Sequence, residues 1–291
     1  MLTFPDLQAL GSHNSFHVET ATVPEWNFTH LPLDQQLGLQ GIRQFELDFY
    51  QDPGGFLVYH VPIFDQGTTC VRLTDCFDAI AGWSARNPAH HPLLILLEPS
   101  DPVDTLDLPT FLAALEAETT ASFAPGQLVS PDEVAETGGW PALGALRGRT
   151  VAVLHVGGAM RQAYTDGDTT AAGRVLFPDA QGDDTLPFPW VHTMNDPVGS
   201  FDEIQRLVGQ GQLVRTRADA DGVEPRAGDT SRLEAALASG ANFVSTDYPA
   251  PRDDVDYVAA IPGGTPSRCN PIRPVEGCTS EAVEDPAFLT P

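Results

Sequence analysis

The sequence predicts a single-domain α/β fold of the TIM-type (β/α) barrel class, irregular or incomplete, and three observations indicate it. Short apolar runs alternate with helix-like stretches along most of the chain, a pattern typical of parallel strand and helix units. Residues 93–97 are apolar on both faces, as strands are when helices cover a sheet on both sides. Polar residues directly follow several runs, at the strand ends where such barrels collect their functional groups.

Eight runs are predicted to be strands, and five stretches between them are predicted to be helices. The strands are expected at residues 7–10, 42–47, 56–59, 93–97, 150–154, 190–191, 213–214 and 242–247. The helices are expected at residues 33–39, 73–85, 108–118, 201–209 and 231–239. Residues 119–149 contain Pro and Gly breakers, and we expect this connection to form a flap over the site. We expect residues 1–260 to form the barrel and the Pro- and Cys-rich residues 261–291 to form a tail packed on it.

The composition is that of a globular protein with an acidic surface. The chain has 291 residues, a net charge of −25, and 15 basic residues that are all Arg. Such a surface repels nucleic acid, which we exclude as a partner, and an anionic substrate needs local positive charge. No apolar stretch approaches the ~18 residues that a membrane span needs. The first residues carry no leader; we expect a secreted or periplasmic protein whose leader is not part of this sequence, with a cytoplasmic protein as the alternative.

The four cysteines form two close pairs in the sequence, at positions 70 and 76 and at positions 269 and 278. Neither spacing is that of a zinc ribbon or of a Cys-x-x-Cys redox motif. We expect the two local disulfides Cys70–Cys76 and Cys269–Cys278, which favour an oxidising compartment. The two other connectivities, and four free buried thiols, remain alternatives.

Acidic residues stand on or directly after two of the predicted strands. Glu46 and Asp48 are two residues apart, so a strand period of two puts both carboxylates on one face. Glu98 directly follows the apolar run 93–97. Because the carboxyl ends of parallel strands meet at one mouth of a barrel, these three acids can converge there.

Two histidines follow predicted strands in the same way. His13, with Asn14 beside it, follows residues 7–10, and His60 follows residues 56–59. Histidine titrates near neutral pH and is suited to general acid or base chemistry. Alone, His13 and Asn14 also fit a turn that caps a helix. Together with the three acids, they indicate a metal-assisted phosphoryl-transfer site.

Six segments spread over nearly the whole chain carry a family resemblance. They are Gly11-Ser-His13-Asn14-Ser, the stretch 41–48 with Glu46-x-Asp48, His60-Val-Pro, the stretch 87–92 before Glu98, Val214-Arg-Thr-Arg-Ala-Asp219 and Val244-Ser-Thr-Asp-Tyr-Pro249. In this order they resemble the bacterial calcium-dependent phosphatidylinositol-specific phospholipase C family. That family is related to the catalytic barrel of the eukaryotic phosphoinositide phospholipases C.

The resemblance implies a calcium site and a reaction. Calcium would be held by Asn14, Glu46, Asp48 and Glu98, which offer the hard oxygen ligands that this ion prefers; Mg²⁺ is an alternative. The implied reaction is attack of the inositol 2-hydroxyl on the phosphorus, which gives inositol 1,2-cyclic phosphate and diacylglycerol. Glu46 or Glu98 would accept the hydroxyl proton, His13 would stabilise the crowded phosphorane, and His60 would protonate the departing oxygen.

The sequence departs from the family near the third carboxylate. Family members often carry a lysine there, whereas residues 99–101, which follow Glu98, contain no cation. Arg215 and Arg217, two apart on one strand face, are the expected replacements, and Tyr248 is expected to stack on the inositol ring. A structural interpretation instead pairs the two arginines with Asp219 or with an acid of a neighbouring strand.

Four further histidines have structural interpretations. His90 and His91 precede a strand and are expected to be solvated loop residues. His155 and His192 lie at strand ends, where lining the site and packing in the core are equally compatible with the sequence.

Three functions remain compatible with these residues. The first is a calcium-dependent phosphodiesterase that acts on a lipid headgroup and makes transient membrane contact. The second is an enzyme that uses the same metal site on phytate or on glycerophosphodiesters, with water as the nucleophile. The third is a non-catalytic protein that binds calcium or inositol phosphates. The products of the reaction distinguish the first two, and turnover distinguishes both from the third.

Overall fold

Eight parallel strands form the centre of the fold in the described part of the chain. The structure is a computed structural model that describes residues 1–20, 23–167, 171–183, 190–264 and 266–288. The strands are β1 (Leu7–Ser12), β2 (Gln44–Asp52), β3 (Gly55–Val58), β4 (Leu93–Pro99), β5 (Thr150–Leu154), β6 (Phe177–Pro178), β7 (Val191–Thr193), β8 (Leu213–Arg217), β9 (Phe243–Thr246) and β10 (Arg268–Cys269). Of these, β3 and β10 are antiparallel additions to β2 and β1.

The parallel strands form a nearly closed barrel. Their order is β6-β5-β4-β2-β1-β9-β8-β7. The two end strands meet through a parallel bridge between Asp179 and Val191, where the Ala180 amide donates to the Val191 carbonyl at 2.7 Å. The predicted TIM-type architecture is therefore confirmed.

Helices cover the outside of the barrel. They are α1 (Leu33–Leu39), α2 (Leu73–Arg86), α3 (Leu108–Ser122), α4 (Pro131–Glu136), α5 (Gly158–Tyr164), α6 (Phe201–Gly209), α7 (Val223–Ala227), α8 (Ser231–Ala238) and α9 (Ser280–Val283). The outward side chains of β2 pack on this layer; Phe49, for example, stacks on Phe111 of α3 at 6.4 Å between ring centroids. No helix in the described ranges has the length and apolar character that crossing a membrane requires.

The end of the barrel opposite the mouth is closed by aromatic packing around Trp140. Its ring lies 5.4 Å from the rings of Phe4 and Phe177, and all three belong to the core inside the barrel. Trp140 is part of the connection 119–149, so the prediction of a flap over the site is wrong. The Pro and Gly breakers show where this segment turns, but the burial of its apolar side chains decides which end of the barrel it covers.

Residues 56–59 are not a barrel strand, contrary to the prediction. In β3, Val58 pairs antiparallel with Phe49 of β2, so the chain turns back in a hairpin above the barrel rim. The turn ends at Gly55, whose φ of +124° is a backbone conformation that side-chain-bearing residues rarely adopt. The hairpin therefore returns the chain to the rim and places His60 there.

Both predicted disulfides, Cys70–Cys76 and Cys269–Cys278, are present. The second lies in the segment after residue 260, where β10 adds to the edge of β1 by pairing Cys269 with Leu7. Disulfides of this kind fit an oxidising compartment.

This C-terminal segment also supplies a buried carboxylate to the core. The Glu284 side chain accepts hydrogen bonds from Arg43 Nε at 3.1 and 3.2 Å and from the His91 amide at 2.8 Å. Arg43 is fully buried and its guanidinium lies 5.0 Å from the centroid of the Trp83 ring. Burial raises the pKa of Glu284, but the charge of Arg43 outweighs it and lowers the pKa to about 2.

His90 and His91 are fully buried, so the expectation that they are solvated is wrong. His90 Nε2 bonds the Ser84 hydroxyl at 2.7 Å, and His91 Nε2 bonds the Ser267 hydroxyl at 2.7 Å. Burial lowers the pKa of His90 to about 4 and that of His91 to about 3, so both rings are neutral at neutral pH.

Glu284→Ala is expected to destabilise the protein by about 3–5 kcal/mol, because it leaves the Arg43 charge buried without a partner. The stabilisation requires an ionised Glu284, so in the parent protein it is lost as the pH falls from 4.5 towards 2. Urea unfolding at pH 7 and at lower pH measures both effects. Glu281→Ala, which removes an exposed acid of the same helix, is the control. Equal stability of the two variants at pH 7 would contradict the expectation.

Candidate active site

The loop after β1 places His13 and Asn14 at the mouth of the barrel. The His13 amide donates to the Thr246 carbonyl at 3.1 Å, at the end of β9. On the other side, the Ser15 amide donates to the Glu46 carbonyl at 2.9 Å and the Ser15 hydroxyl accepts from the Glu46 amide at 2.8 Å. Asn14 has φ +41°, in the left-handed region that Asn tolerates better than most residues. The loop is thus fixed to both neighbouring strands.

His13 is oriented by a buried carboxylate. Its Nδ1 lies 2.7 Å from Asp247 Oδ1, and Arg217 Nη2 donates to the other oxygen of Asp247 at 3.2 Å. Because the carboxylate only accepts, the hydrogen-bond pattern assigns a proton to Nδ1 and leaves Nε2 for a ligand. Burial and the charge of Arg217 lower the pKa of His13 well below 6.5, so the ring is neutral at neutral pH without substrate.

Three carboxylates share the inner face of the barrel beside this loop. Asp48 lies opposite Glu98 in the register of β2 and β4, and Glu46 is two residues before it on the same face. Asp48 Oδ1 is buried and has no hydrogen-bond partner among the described residues. Burial and the charges of Glu98 and Glu46 raise the pKa of Asp48 well above 3.8. The cluster therefore has unbalanced negative charge and an unsatisfied oxygen.

Both predicted arginines lie beside the acids, and each is paired. Arg215 is fully buried on β8, donates to Glu46, and donates to the Ser245 hydroxyl at 3.1 Å. Burial raises the pKa of Glu46, but the Arg215 charge and nearby imidazoles outweigh it, and the pKa is lowered. Arg217 pairs with Asp247 at the end of the neighbouring strand β9, which agrees with the structural interpretation, although the acid is not Asp219.

A third histidine, His155, faces the same acids from the end of β5. Its Nδ1 lies 2.6 Å from Asp179 Oδ2, and its Nε2 lies 3.4 Å from Glu98 Oε2 and 3.7 Å from Glu46 Oε1. Burial lowers the pKa of His155, but the hydrogen bond to Asp179 and the three negative charges outweigh it and raise the pKa to about 9. His155 is thus a cation next to Glu98, where the sequence after Glu98 supplies none.

His60 has a partner of the same type as His13. Its Nδ1 lies 2.9 Å from Asp65 Oδ2, which also bonds the buried His17 Nε2 at 2.8 Å. His17 Nδ1 in turn bonds the Phe28 carbonyl at 2.9 Å, and the Trp26 ring contacts His60 edge-on at 5.1 Å. The bond to Asp65 assigns a proton to Nδ1 of His60 and leaves Nε2 for a ligand.

The structure does not bring Tyr248 to the acid cluster. The residue is 3% exposed, its ring contacts Tyr257 edge-on at 6.0 Å, and the Arg252 guanidinium lies 5.5 Å from its centroid. The stacking of Tyr248 on the inositol ring stays a prediction. His192 also points away from the barrel interior, because its neighbour Val191 belongs to the inner core.

Two acids of the site, Asp65 and Asp179, were not predicted. The position of His155 could have been used to predict it as a site residue, since it directly follows an apolar run as Glu98 does. No sequence pattern marks the two acids, because each lies in an irregular segment and is recognised only by the histidine that it contacts.

The acid cluster fits a hard divalent cation. Glu46, Asp48 and Glu98 offer carboxylate oxygens on one face, and oxygen is the donor that Ca²⁺ and Mg²⁺ prefer; the part of Asn14, on the adjoining loop, stays a prediction. The buried, unpartnered Asp48 oxygen is the observation that favours a cation over a purely structural cluster. One donor atom each from Glu46, Glu98 and His155 also lie within 4.8 Å of one another.

An α/β barrel with acids and histidines at the carboxyl ends of its strands defines the class of barrel enzymes. The family model "Phosphoinositide phospholipase C, Ca2+-dependent" matches residues 53–271, well over half of the chain. The chain therefore belongs to this family, and it is a phosphodiesterase of the phosphatidylinositol-specific phospholipase C type. No curated protein matches the sequence significantly.

Several solved structures of this type share the fold. A calcium-dependent phosphoinositol-specific phospholipase C from Pseudomonas sp. has a TM-score of 0.64 at 17% identity, covering 92% of this chain and 95% of that one. A Ca²⁺-dependent phosphatidylinositol-specific phospholipase C from Streptomyces antibioticus has a TM-score of 0.61 at 14% identity, covering 86% and 96%. The Staphylococcus aureus phosphatidylinositol-specific phospholipase C has a TM-score of 0.55 at 11% identity, covering 88% and 91%.

Proposed function

We propose that this protein is a calcium-dependent phospholipase C that cleaves phosphatidylinositol-type lipids by attack of the inositol 2-hydroxyl. The products are inositol 1,2-cyclic phosphate and diacylglycerol. The observation that carries the proposal is the arrangement at the mouth. His13 and His60 each bond a carboxylate through Nδ1, and the same mouth carries an acid cluster in which one buried oxygen has no partner among the described residues. Such a site can bind a cation and exchange protons with a substrate.

Asn14, Glu46, Asp48 and Glu98 are the residues that would hold the cation. When bound, Ca²⁺ supplies charge that polarises the phosphate and acidifies the inositol hydroxyl. The Asp48 oxygen would then have a ligand, and the cation's charge would relieve the repulsion among the acids.

Glu98 is the better of the two proposed proton acceptors. Glu46 is held by Arg215, whereas the Glu98 side chain is 41% exposed and burial raises its pKa. As the 2-hydroxyl oxygen bonds to phosphorus, its proton passes to Glu98. A carboxylate that is more basic and open to the mouth accepts this proton more readily.

The two histidines act on the other oxygens of the phosphodiester. His60 Nε2 donates a proton to the diacylglycerol oxygen as its bond to phosphorus breaks, and Asp65 holds the ring in the donating orientation. His13 Nε2, once protonated, donates to a phosphoryl oxygen. The negative phosphate favours this protonation, against the burial and the Arg217 charge that lower the His13 pKa.

His155 supplies the positive charge that the sequence lacks after Glu98. Its raised pKa keeps the ring charged near neutral pH when no cation is bound.

The substrate we propose is a lipid headgroup phosphodiester, met outside the cytoplasm. A disulfide-bonded protein is compatible with secretion.

Phosphorus NMR of the products tests this function. Phosphatidylinositol and phytate are each incubated with the protein, once with Ca²⁺ and once with a chelator. We expect a cyclic phosphate resonance from phosphatidylinositol with Ca²⁺, loss of turnover with the chelator, and recovery when Ca²⁺ is restored. A phosphomonoester as the first product, or turnover of phytate alone, would contradict internal attack. Binding of Ca²⁺ without turnover of either substrate would contradict an enzyme of this specificity.

A further inference from the structure

We propose that Asp219 is a positioning residue for His13, which it holds in place through the end of β9. The proposal rests on the proposed function, in which His13 Nε2 donates to a phosphoryl oxygen. Asp219 follows the end of β8 by two residues and is fully buried. Because its side chain is closed off from solvent, it acts on the site through the residues that it contacts.

The two carboxylate oxygens of Asp219 bind consecutive residues at the end of β9. Oδ1 accepts a hydrogen bond from the Asp247 amide at 3.0 Å, and Oδ2 accepts one from the Thr246 hydroxyl. The hydroxyl of the buried Tyr257 lies 3.2 Å from Oδ2 as a further donor. Together these bonds fix where residues 246 and 247 lie.

The same two residues hold the main chain and the ring of His13. The Thr246 carbonyl accepts from the His13 amide at 3.1 Å, and Asp247 Oδ1 lies 2.7 Å from His13 Nδ1. The Thr246 hydroxyl also accepts from the Tyr248 amide at 2.9 Å, so its bond to Asp219 belongs to one continuous network. A shift of residues 246 and 247 would therefore move the His13 backbone and the bond that orients its ring together.

Asp219 is buried without a counter-ion. It forms no ion pair among the residues that the structure describes, and the nearby Arg217 pairs with Asp247 instead. Burial and the charge of Asp247 raise the pKa of Asp219 to about 7. A buried acid that lacks a cation costs folding free energy, and such groups concentrate at functional sites.

Asp6 makes the same type of contact at the end of the barrel opposite the mouth. It precedes β1, and its Oδ2 accepts from the Thr3 amide at 2.8 Å and from the Thr3 hydroxyl at 2.7 Å. There the carboxylate has a cation, since Arg273 Nε lies 2.9 Å from Oδ1. Asp6 is thus a matched control, a buried carboxylate that fixes backbone far from His13.

Proton NMR of the imidazole N–H groups tests the positioning role without any substrate. We expect a slowly exchanging downfield signal from His13 Nδ1–H, which His13→Gln assigns by its loss. In Asp219→Ala this signal should be lost through exchange with water, because Asp247 no longer has a fixed position. The signal of His155, which bonds a different carboxylate, should persist. Both signals should persist in Asp6→Ala.

The atom that His13 contacts determines the expected kinetics. Asp219→Ala should lower kcat roughly ten- to hundredfold with little change in KM, because a displaced His13 stabilises the transition state less. The loss should be equal on phosphatidylinositol and on an inositol nitrophenyl phosphodiester, since His13 bonds a phosphoryl oxygen and not the leaving group. Asp219→Asn keeps an oxygen for the Asp247 amide, so it should keep the His13 signal and lose less activity.

The outcomes separate the positioning role from a structural role and from the proposed function. Loss of the His13 signal in Asp219→Ala but not in Asp6→Ala supports the role, even if the parent protein forms no cyclic phosphate. Three results would overturn it: no such signal in the parent, a signal that persists in Asp219→Ala, and a signal that is lost in Asp6→Ala as well. A kinetic loss that depends on the leaving group, or an Asp219→Asn variant as impaired as Asp219→Ala, would also overturn it.

Melting temperatures show which variants are folded. If Asp219→Ala does not fold, Thr246→Val removes only the hydroxyl that bonds Asp219 and keeps a side chain of similar size. Faster exchange of the His13 signal in Thr246→Val than in the parent would then support the role, and equal exchange would overturn it.

Discussion

His60→Ala is expected to lower kcat on phosphatidylinositol by roughly 10²–10⁴-fold, the usual contribution of general acid catalysis. Without the imidazole, no positioned group protonates the diacylglycerol oxygen. The oxygen must then leave as an alkoxide, which is a poor leaving group, and cleavage is slow. The His60 side chain is 22% exposed, and Asp65 keeps its bond to His17 when the imidazole is removed, so we expect the melting temperature to change little. Steady-state kinetics and thermal unfolding measure both quantities.

A second substrate shows whether His60 acts as the acid. An inositol nitrophenyl phosphodiester releases a stable phenolate and needs little protonation, so we expect His60→Ala to be much less impaired on it. An equally large loss on both substrates would contradict the role and would indicate that His60 positions the substrate instead. Asp65→Asn is expected to cause a smaller loss with the same dependence on the leaving group, because it keeps the His60 imidazole and only weakens the bond that orients it.

Asp48→Asn is expected to abolish the response of the protein to Ca²⁺. A ligand at one hundred times its Kd stabilises a protein by about 2.7 kcal/mol, and the variant should lose most of this shift together with turnover. Differential scanning calorimetry with Ca²⁺ and with a chelator measures the shift. Asp104→Asn, which removes an exposed acid in the connection after β4, is the matched control.

The same variant should stabilise the protein when Ca²⁺ is absent. The pKa of Asp48 is raised in the folded state, so the folded chain binds more protons than the unfolded chain above pH 3.8. Stability in chelator therefore falls as the pH rises above 3.8, until the raised pKa of Asp48 has been passed. Asp48→Asn removes this charge and should raise the melting temperature at pH 7 in chelator. A lower melting temperature there would contradict the interpretation of the cluster as an uncompensated cation site.

Much of the barrel could be predicted because its signals are local. The apolar runs before Glu98 and His155 and the period of two at Glu46 and Asp48 depend on neighbouring residues alone. The two-residue β6 has no such signal, because two residues cannot show a period. The end of the barrel that the segment around Trp140 covers was also not predictable, because Pro and Gly residues indicate only where a connection turns.

The site features that could not be predicted depend on contacts between residues that are distant in sequence. Asp65 and Asp179 gain their roles from histidines that they meet only in the folded chain. The same is true of His91, whose burial depends on a carboxylate 193 residues later. Sequence patterns therefore predict that a catalytic group lies at the mouth. They do not identify the side chain that determines its tautomer or its protonation state.

The pairing of Arg43 with Glu284 has a consequence for the order in which the chain can fold. The two residues are 241 positions apart, and β1 likewise pairs with β9 and β10, which follow it much later. During synthesis the first two strands emerge without these neighbours, so the barrel cannot be completed until the distal segments have left the ribosome. Contacts of such long range slow the final step of folding. A nascent chain that stays open for this long remains available to chaperones.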